Sequence, residues 1–525
     1  MPSTLGLLVL LAAAARFWRL DFDLPEVVYI DSFKFVGEAA RMVDTGDLRP
    51  ADFQYPGLYA YLIAALYRVF DIESVYGRQL AATCVSAVAG TLVVAATGYA
   101  ARAVTGTSGT LLADALACVS PALVTQSRTP APDTLCVLFA TVALGIAARQ
   151  SASLRSWAAA GLATGLATGS KWTGAFVAPA VAVAAAVTVW RRRGVRSVPV
   201  ALLVCGTSAL VALWASTPFL VGLHEGYVHA ATVNLAAQRG GQIGRVQLHP
   251  LDYVFSGTPT WEAPWLGTSL IAELGLPALL LAAGGVAVAA SGRLGFAGIF
   301  YAATALAYLV SISGTGWIKA MRFLLPCLPL LWVLAGSCGE RILPRTGVPR
   351  LVGGLALAVA ALATPARSAV TYLSALSVPS TNALAREWVR QNVPADSVVF
   401  LGPFFTNDLV SLPLRLQQLG RAGSSLYRLP PEVGMSPERQ PIYSADVFEQ
   451  LRRRGVEWFI LHSYFDDAFT PVTENLRFFP RSVREYEAFI NRVREEAELV
   501  HAEIGWADHR LGPDIRVWRL RPRPQ

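Results

Sequence analysis

Eleven apolar runs, each close to the length a helix needs to cross a bilayer, constrain this chain more than any other feature. A hydrocarbon core takes about 20 predominantly apolar residues per helix, with a range of about 17 to 25. Such runs fall near 3–18, 78–100, 107–127, 134–149, 155–169, 172–190, 198–221, 265–290, 294–312, 318–338 and 351–374. Segments this long and apolar satisfy their backbone polar groups in lipid by becoming helical. The expected fold class is therefore a polytopic α-helical membrane protein with about 11 transmembrane helices. Composition agrees, because 54% of the 525 residues are hydrophobic and 15% are charged, against about 25% charged in a soluble domain. The stretch 58–70, LYAYLIAALYRVF, is too short to span and carries Arg68 near its end, so it reads as a helix on the membrane surface. The opening MPSTLGLLVLLAAAARFW has no basic residues ahead of its apolar run, which favours a retained first span over a cleaved signal.

Charge distribution orients these spans. Residues 376–525 hold 19 basic and 19 acidic side chains, so the formal surplus of +8 belongs wholly to the first 375 residues. It is a membrane-flank surplus and does not point to nucleic acid. With the N-terminus inside, the short cytoplasmic loops contain Arg102, Arg149, Arg155, Arg191, Arg192, Arg193, Arg196, Arg293, Arg341, Arg345 and Arg350 against the single acid Glu340. The other face receives the first outer loop, roughly 19–77, the long outer loop 222–264 and the C-terminal region. Lys34, Lys171 and Lys319 all fall on that outer side, against the usual bias, which makes them candidates for holding an anion.

Residues 1–375 thus read as a membrane domain and 376–525 as an extracytoplasmic α/β domain. In the latter, ALAREWVRQNV, SADVFEQLRRRG and REYEAFINRVREEAELV read as helices, and DSVVFLG, VEWFILHS and IRVWRLRP as strands. The six cysteines, Cys84, Cys118, Cys136, Cys205, Cys327 and Cys338, lie within or at the ends of apolar runs without CxxC spacing, so no disulfide frame or zinc site is legible.

Chemistry concentrates in the outer connections. In YIDSFKFVGEAARMVDTGDL, Asp31 falls just before or in the first turn of a short helix. A carboxylate there suits an N-cap, or a base that takes a proton from a hydroxyl within reach. In QSRTPAPDTLCVLF, Asp133 opens a span behind two prolines, where a helix cap and a functional acid are both open readings. GLATGLATGSKWTGAF places Lys171 at a break between helices, with glycines 165, 169 and 174 allowing close approach, and the alternative there is a snorkelling lysine. In SISGTGWIKAMRFLLPCLP, Lys319 and Arg322 are three apart and share one face if the helix has begun by Lys319. Arg322 lies a turn inside an apolar helix, which is costly unless an anion meets it. Arg78, opening the second span, is a flanking arginine. Outer carboxylates beside outer cations suit a lipid phosphate whose leaving charge is met by the cations.

These segments, with FQYPGLYAYLIAALYRVFD and AMRFLLPCLPLL, resemble the polyprenyl-phosphate-dependent membrane glycosyltransferases of the GT-C fold. That class holds the protein O-mannosyltransferases and the bacterial aminoarabinose transferases, and the resemblance covers residues 1 to about 375. It implies transfer of a sugar, with inversion, from a polyprenyl-phosphate donor to an extracytoplasmic protein hydroxyl, lipid or glycan at the bacterial inner membrane. Carried over residue by residue, Asp31 would be the catalytic carboxylate and Asp133 a second active-site acid, while Arg78, Lys171 and Arg322 would surround the phosphate, with Lys319 beside them. A divalent metal held by Asp31 and Asp133 stays open. Two positions depart from the pattern: Ser32 stands where members often have Glu, and Tyr55-Pro56-Gly57 where they often have a double proline. A transporter or lipid flippase and a non-catalytic envelope assembly protein are the alternatives; for the first, Asp114 and Glu273 lie within spans, but the sequence shows them neither an evident partner nor a duplicated half.

Overall fold

The computed structural model describes residues 2–24, 32–230, 269–313, 321–344, 346–402, 415–417, 445–463, 480–505 and 510–522, with the single positions 232 and 254. Among the described residues its N-terminal part is built of helices. Six segments among the described residues are long and apolar enough to cross a membrane: Val75–Ala101, Trp172–Arg193, Val195–Ser216, Leu270–Ala290, Gly295–Ile312 and Val348–Ala375. Shorter apolar helices stand among them at Thr4–Phe17, Leu58–Val69, Thr107–Val119 and Asp133–Ala148. The protein is integral to a membrane.

In chain order the helices that matter here are α1 (Pro2–Phe17), α2 (Ser32–Thr45), α3 (Leu58–Val69), α4 (Val75–Ala101), α5 (Thr107–Val119), α6 (Pro121–Gln126), α7 (Asp133–Ala148), α8 (Leu154–Ser170), α9 (Val177–Arg193) and α10 (Val198–Ser216). They are followed by α11 (Leu270–Ala290), α12 (Gly295–Ser313), α13 (Leu328–Ile342) and α14 (Val348–Ala375).

Two expected spans are interrupted. The run 107–127 breaks at Ser120-Pro121 into α5 and α6, because proline has no N–H to continue the ladder. In the run 318–338 the described residues start at Met321. Met321–Phe323 is a single 3₁₀ turn, and the α-helix opens only at Leu328, with Pro329 in its first turn.

The break after α5 is held by two buried charges of opposite sign. Arg16 of α1 is fully buried and donates from Nη2 to Ala117 O at 3.2 Å and from Nη1 to Cys118 O at 3.4 Å, meeting the negative end of α5. Glu273 of α11 accepts from Ser120 Oγ and, at 3.0 Å, from Ala122 N, meeting the amide end of α6. Glu273 therefore has partners that its isolation in the sequence concealed.

Close packing depends on small residues. Gly161, Gly165 and Gly169, one turn apart on α8, lie so near α10 that a Cβ on any of them would collide with Cys205 O, Ala209 O or Ser216 Oγ in turn. Much of α10 and α14 is by contrast uncovered, with Leu203, Leu210, Trp214, Leu351, Leu355 and Val359 exposed, as lipid-facing surfaces are.

The C-terminal part is a five-stranded sheet in the order β2-β1-β3-β5-β4, built from β1 (Val398–Leu401), β2 (Arg415–Gln417), β3 (Trp458–His462), β4 (Ala497–Glu503) and β5 (Ile515–Leu520). β1 runs parallel to β2 and β3, and β5 antiparallel to β3 and β4. Side chains along β3 alternate between faces. Trp458 and Ile460 join Ala385 and Val389 of α15 (Thr381–Asn392) on one side. On the other, Phe459 and Leu461 join Phe448 of α16 (Ala445–Arg453) and Phe489 of α17 (Pro480–Glu496). The expected helix REYEAFINRVREEAELV ends sooner than its charge pattern suggests, because Ala497 onward pairs with β5 as a strand.

This part is joined to the helices by a small apolar cluster of Val124, Tyr372, Ala375, Leu376 and Leu511, with Phe22 against it. Thr381 N donates to Leu511 O at 3.0 Å. Beside the joint, Asp23 meets Ser380, and burial pushes its carboxyl up to about 6 from an ordinary 3.8.

Candidate active site

Asp133 is the first residue of α7, and the chain around it is tied down from two sides. Ser86 Oγ of α4 donates to Ala131 O at 3.1 Å, and Thr134 Oγ1 donates to Ser86 O at 3.2 Å. Tyr59 of α3, itself buried, completes the tie by donating to Ala82 O at 2.8 Å.

Lys171 follows the last residue of α8 with extended backbone, φ −153° and ψ 137°, before a 3₁₀ helix at Trp172–Phe176. That break, prepared by the glycine ridge of α8, sends the ammonium to Asp133, with Nζ 2.6 Å from Oδ1. The two side chains are 13% and 6% exposed, so the pair is largely withdrawn from water. A pair so buried is held by its mutual charge and hydrogen bonding, and either partner alone would be costly. The snorkelling alternative for Lys171 is thereby set aside.

Arg322 joins this pair through an aromatic ring. The Lys171 ammonium lies 5.9 Å from the centre of the Phe323 ring, and the Arg322 guanidinium lies 5.6 Å from the same centre. Tyr308 Oη of α12 donates to Phe323 O at 2.8 Å and fixes the turn that carries both residues. The fold thus brings together Asp133, Lys171 and Arg322 from three separate connections.

Arg78 is engaged elsewhere. Its two η nitrogens meet the Asp44 carboxylate of α2 at 2.9 and 2.5 Å, and its Nε donates to Ile72 O at 3.1 Å. The guanidinium holds the exposed Asp44 carboxyl below the usual carboxylate range. Asp31 and Lys319 lie outside the described residues. Among the described residues no three His, Cys, Asp or Glu side chains converge on a metal-sized site, so a divalent ion at Asp133 would need ligands from beyond them.

Trp172, the residue after Lys171, meets aromatic residues that the sequence did not mark. Tyr227 meets Phe53 at 5.0 Å and Trp172 at 5.8 Å between ring centres, both edge to face. Nothing in the spacing of positions 53, 172 and 227 announces this meeting.

The architecture has known counterparts. It superposes on the Archaeoglobus fulgidus oligosaccharyltransferase AglB, solved with an inhibitory peptide and a dolichol-phosphate, with a TM-score of 0.57 and 13% identity over 92% of this chain and 72% of that one. It also superposes on ArnT from Cupriavidus metallidurans bound to undecaprenyl phosphate, with a TM-score of 0.54 and 14% identity over 98% of both chains. The fold is that of the GT-C glycosyltransferases. Residues 54–220 match the family model of dolichyl-phosphate-mannose-protein mannosyltransferases, a segment that contains Arg78, Asp133 and Lys171. No curated protein matches the sequence significantly.

Proposed function

We propose that this chain transfers a sugar from a polyprenyl-phosphate donor to an acceptor on the outer face of the bacterial inner membrane, where the C-terminal α/β domain also lies. The observation that carries this reading is the convergence of Asp133, Lys171 and Arg322 at one end of the bundle. The opposite end of α7 closes in Arg149, which donates to Tyr99 O at 2.9 Å among the basic loops assigned to the cytoplasm. Polyprenyl phosphates are held by two proteins of this fold, AglB and ArnT.

In the proposed reaction Lys171 and Arg322 receive the donor phosphate, and Asp133 keeps the Lys171 ammonium charged and aimed. The acceptor oxygen attacks the anomeric carbon from the side opposite the phosphate, while its proton passes to a carboxylate, for which the sequence offers Asp31. The bond between the anomeric carbon and the phosphate oxygen breaks, and the lipid phosphate leaves with its charge met by the two cations. The carrier reading has less to stand on, since Glu273 secures a helix break.

The test is transfer from an undecaprenyl-phosphate sugar by protein in proteoliposomes. Asp31→Asn should abolish turnover with normal protein abundance, and Arg322→Ala should raise the donor KM far more than the acceptor KM. Full turnover in the first variant, or an unmoved donor KM in the second, would remove the assigned role.

A further inference from the structure

We infer that Phe53, Trp172 and Tyr227 form the seat of the donor's sugar ring, an inference that rests on the phosphate reading of Lys171. Two polar atoms carry the argument. Tyr227 is 3% exposed, and both its Oη and the indole Nε1 of Trp172 are buried without a hydrogen-bond partner among the described residues. Buried Tyr and Trp ordinarily place these atoms on a partner, and leaving one unmet is costly. Two such atoms in one aromatic cluster, one of them on the residue after Lys171, mark a place where a ligand supplies the missing partners.

The seat is built rather than incidental. Glu38 Oε1 accepts from Ala51 N at 2.8 Å and from Arg41 Nη2 at 2.9 Å, and Tyr61 Oη donates to Leu48 O at 3.0 Å. These bonds fix the loop that delivers Phe53. Phe53 in turn lies against Gly226, where an added Cβ would come within 2.9 Å of its ring.

The chemistry selects the occupant. Aliphatic lipid would satisfy the ring faces and leave both polar atoms unmet. A sugar ring presents apolar C–H faces to aromatic rings, and hydroxyls that accept from the indole N–H and exchange hydrogen bonds with the phenol. Trp172 is the residue after Lys171, and in a lipid-phosphate sugar the ring is bonded directly to the phosphate. The donor's sugar, rather than its tail, thus belongs at this seat.

The experiment measures binding of bare undecaprenyl phosphate, and of a panel of undecaprenyl-phosphate hexoses and pentoses, to the full chain in nanodiscs. Tyr227→Phe and Trp172→Phe keep a ring in place while removing the polar atom. At least one sugar ester should bind wild type about 10-fold or more tighter than the bare lipid phosphate. Each variant should erase most of that margin while leaving bare lipid phosphate binding unchanged. A margin that persists in both variants, or no margin for any ester, overturns the seat while the phosphate reading stands. Failure of wild type to bind bare undecaprenyl phosphate overturns the phosphate reading and this inference with it.

Discussion

Lys171 Nζ lies 2.6 Å from Asp133 Oδ1, across 38 residues of sequence, and the contact joins the turn after α8 to the first residue of α7. Removing one member of such a pair leaves the other as an uncompensated buried charge, at a cost of about 3–5 kcal/mol. Lys171→Met should therefore lower the thermal midpoint of the detergent-solubilised protein sharply. The double variant Lys171→Met with Asp133→Asn should recover much of the stability and none of the transfer activity. Equal midpoints for the single and double variants would show that the pair is not a stabilising unit.

The glycine ridge of α8 offers a second test. Gly165→Leu forces a side chain into the Ala209 backbone of α10 and should cost about 1–3 kcal/mol, displacing Lys171 at the end of the same helix. Gly206 on α10 has open space around it, so Gly206→Leu should leave both midpoint and donor binding near wild type. A comparable loss in the two variants would refute the close-packing account.

Glu273→Ala removes the acceptor for Ser120 Oγ and Ala122 N inside the bundle. Two unmet donors there should lower stability by about 1–3 kcal/mol each at most, and Glu273→Gln, which keeps an acceptor oxygen, should lose less. Thermal unfolding of both variants against wild type decides this, and an undisturbed midpoint in Glu273→Ala would argue that the cap is unimportant.

Asp23 gives a pH dependence with a definite sign. Its folded carboxyl stands near 6 against an ordinary 3.8, raised by burial. The stabilising contribution of the neutral acid is therefore complete below the ordinary value and is lost as pH rises through the folded one. Asp23→Asn, which is neutral throughout, should raise the midpoint relative to wild type at pH 7.5 and make little difference at pH 4. A gain that is the same at both pH values would assign the effect to something other than ionisation.

Much of the membrane architecture was legible in the sequence, and the reason is local. A run of some twenty apolar residues has no stable state in lipid other than a helix, and the prolines that interrupt such runs act on their own backbone. Lys171 and Asp133 announced themselves as charges at the edges of apolar segments, where the cost of an unpartnered ion makes a partner necessary. What the runs of hydropathy could not show was which charge answers which. Arg78, expected among the cations around the phosphate, holds Asp44, while Glu273 looked solitary and instead caps α6.

By itself the chain's order of residues determined where the apolar helices form, because that follows from the interaction of each segment with lipid and water. The tertiary structure alone decided the pairing of Lys171 with Asp133 around Phe323, the edge-to-face meeting of Phe53, Trp172 and Tyr227, and the conversion of the end of a charged helix into β4. Those contacts link residues many positions apart, and their energies depend on distances that no local pattern encodes.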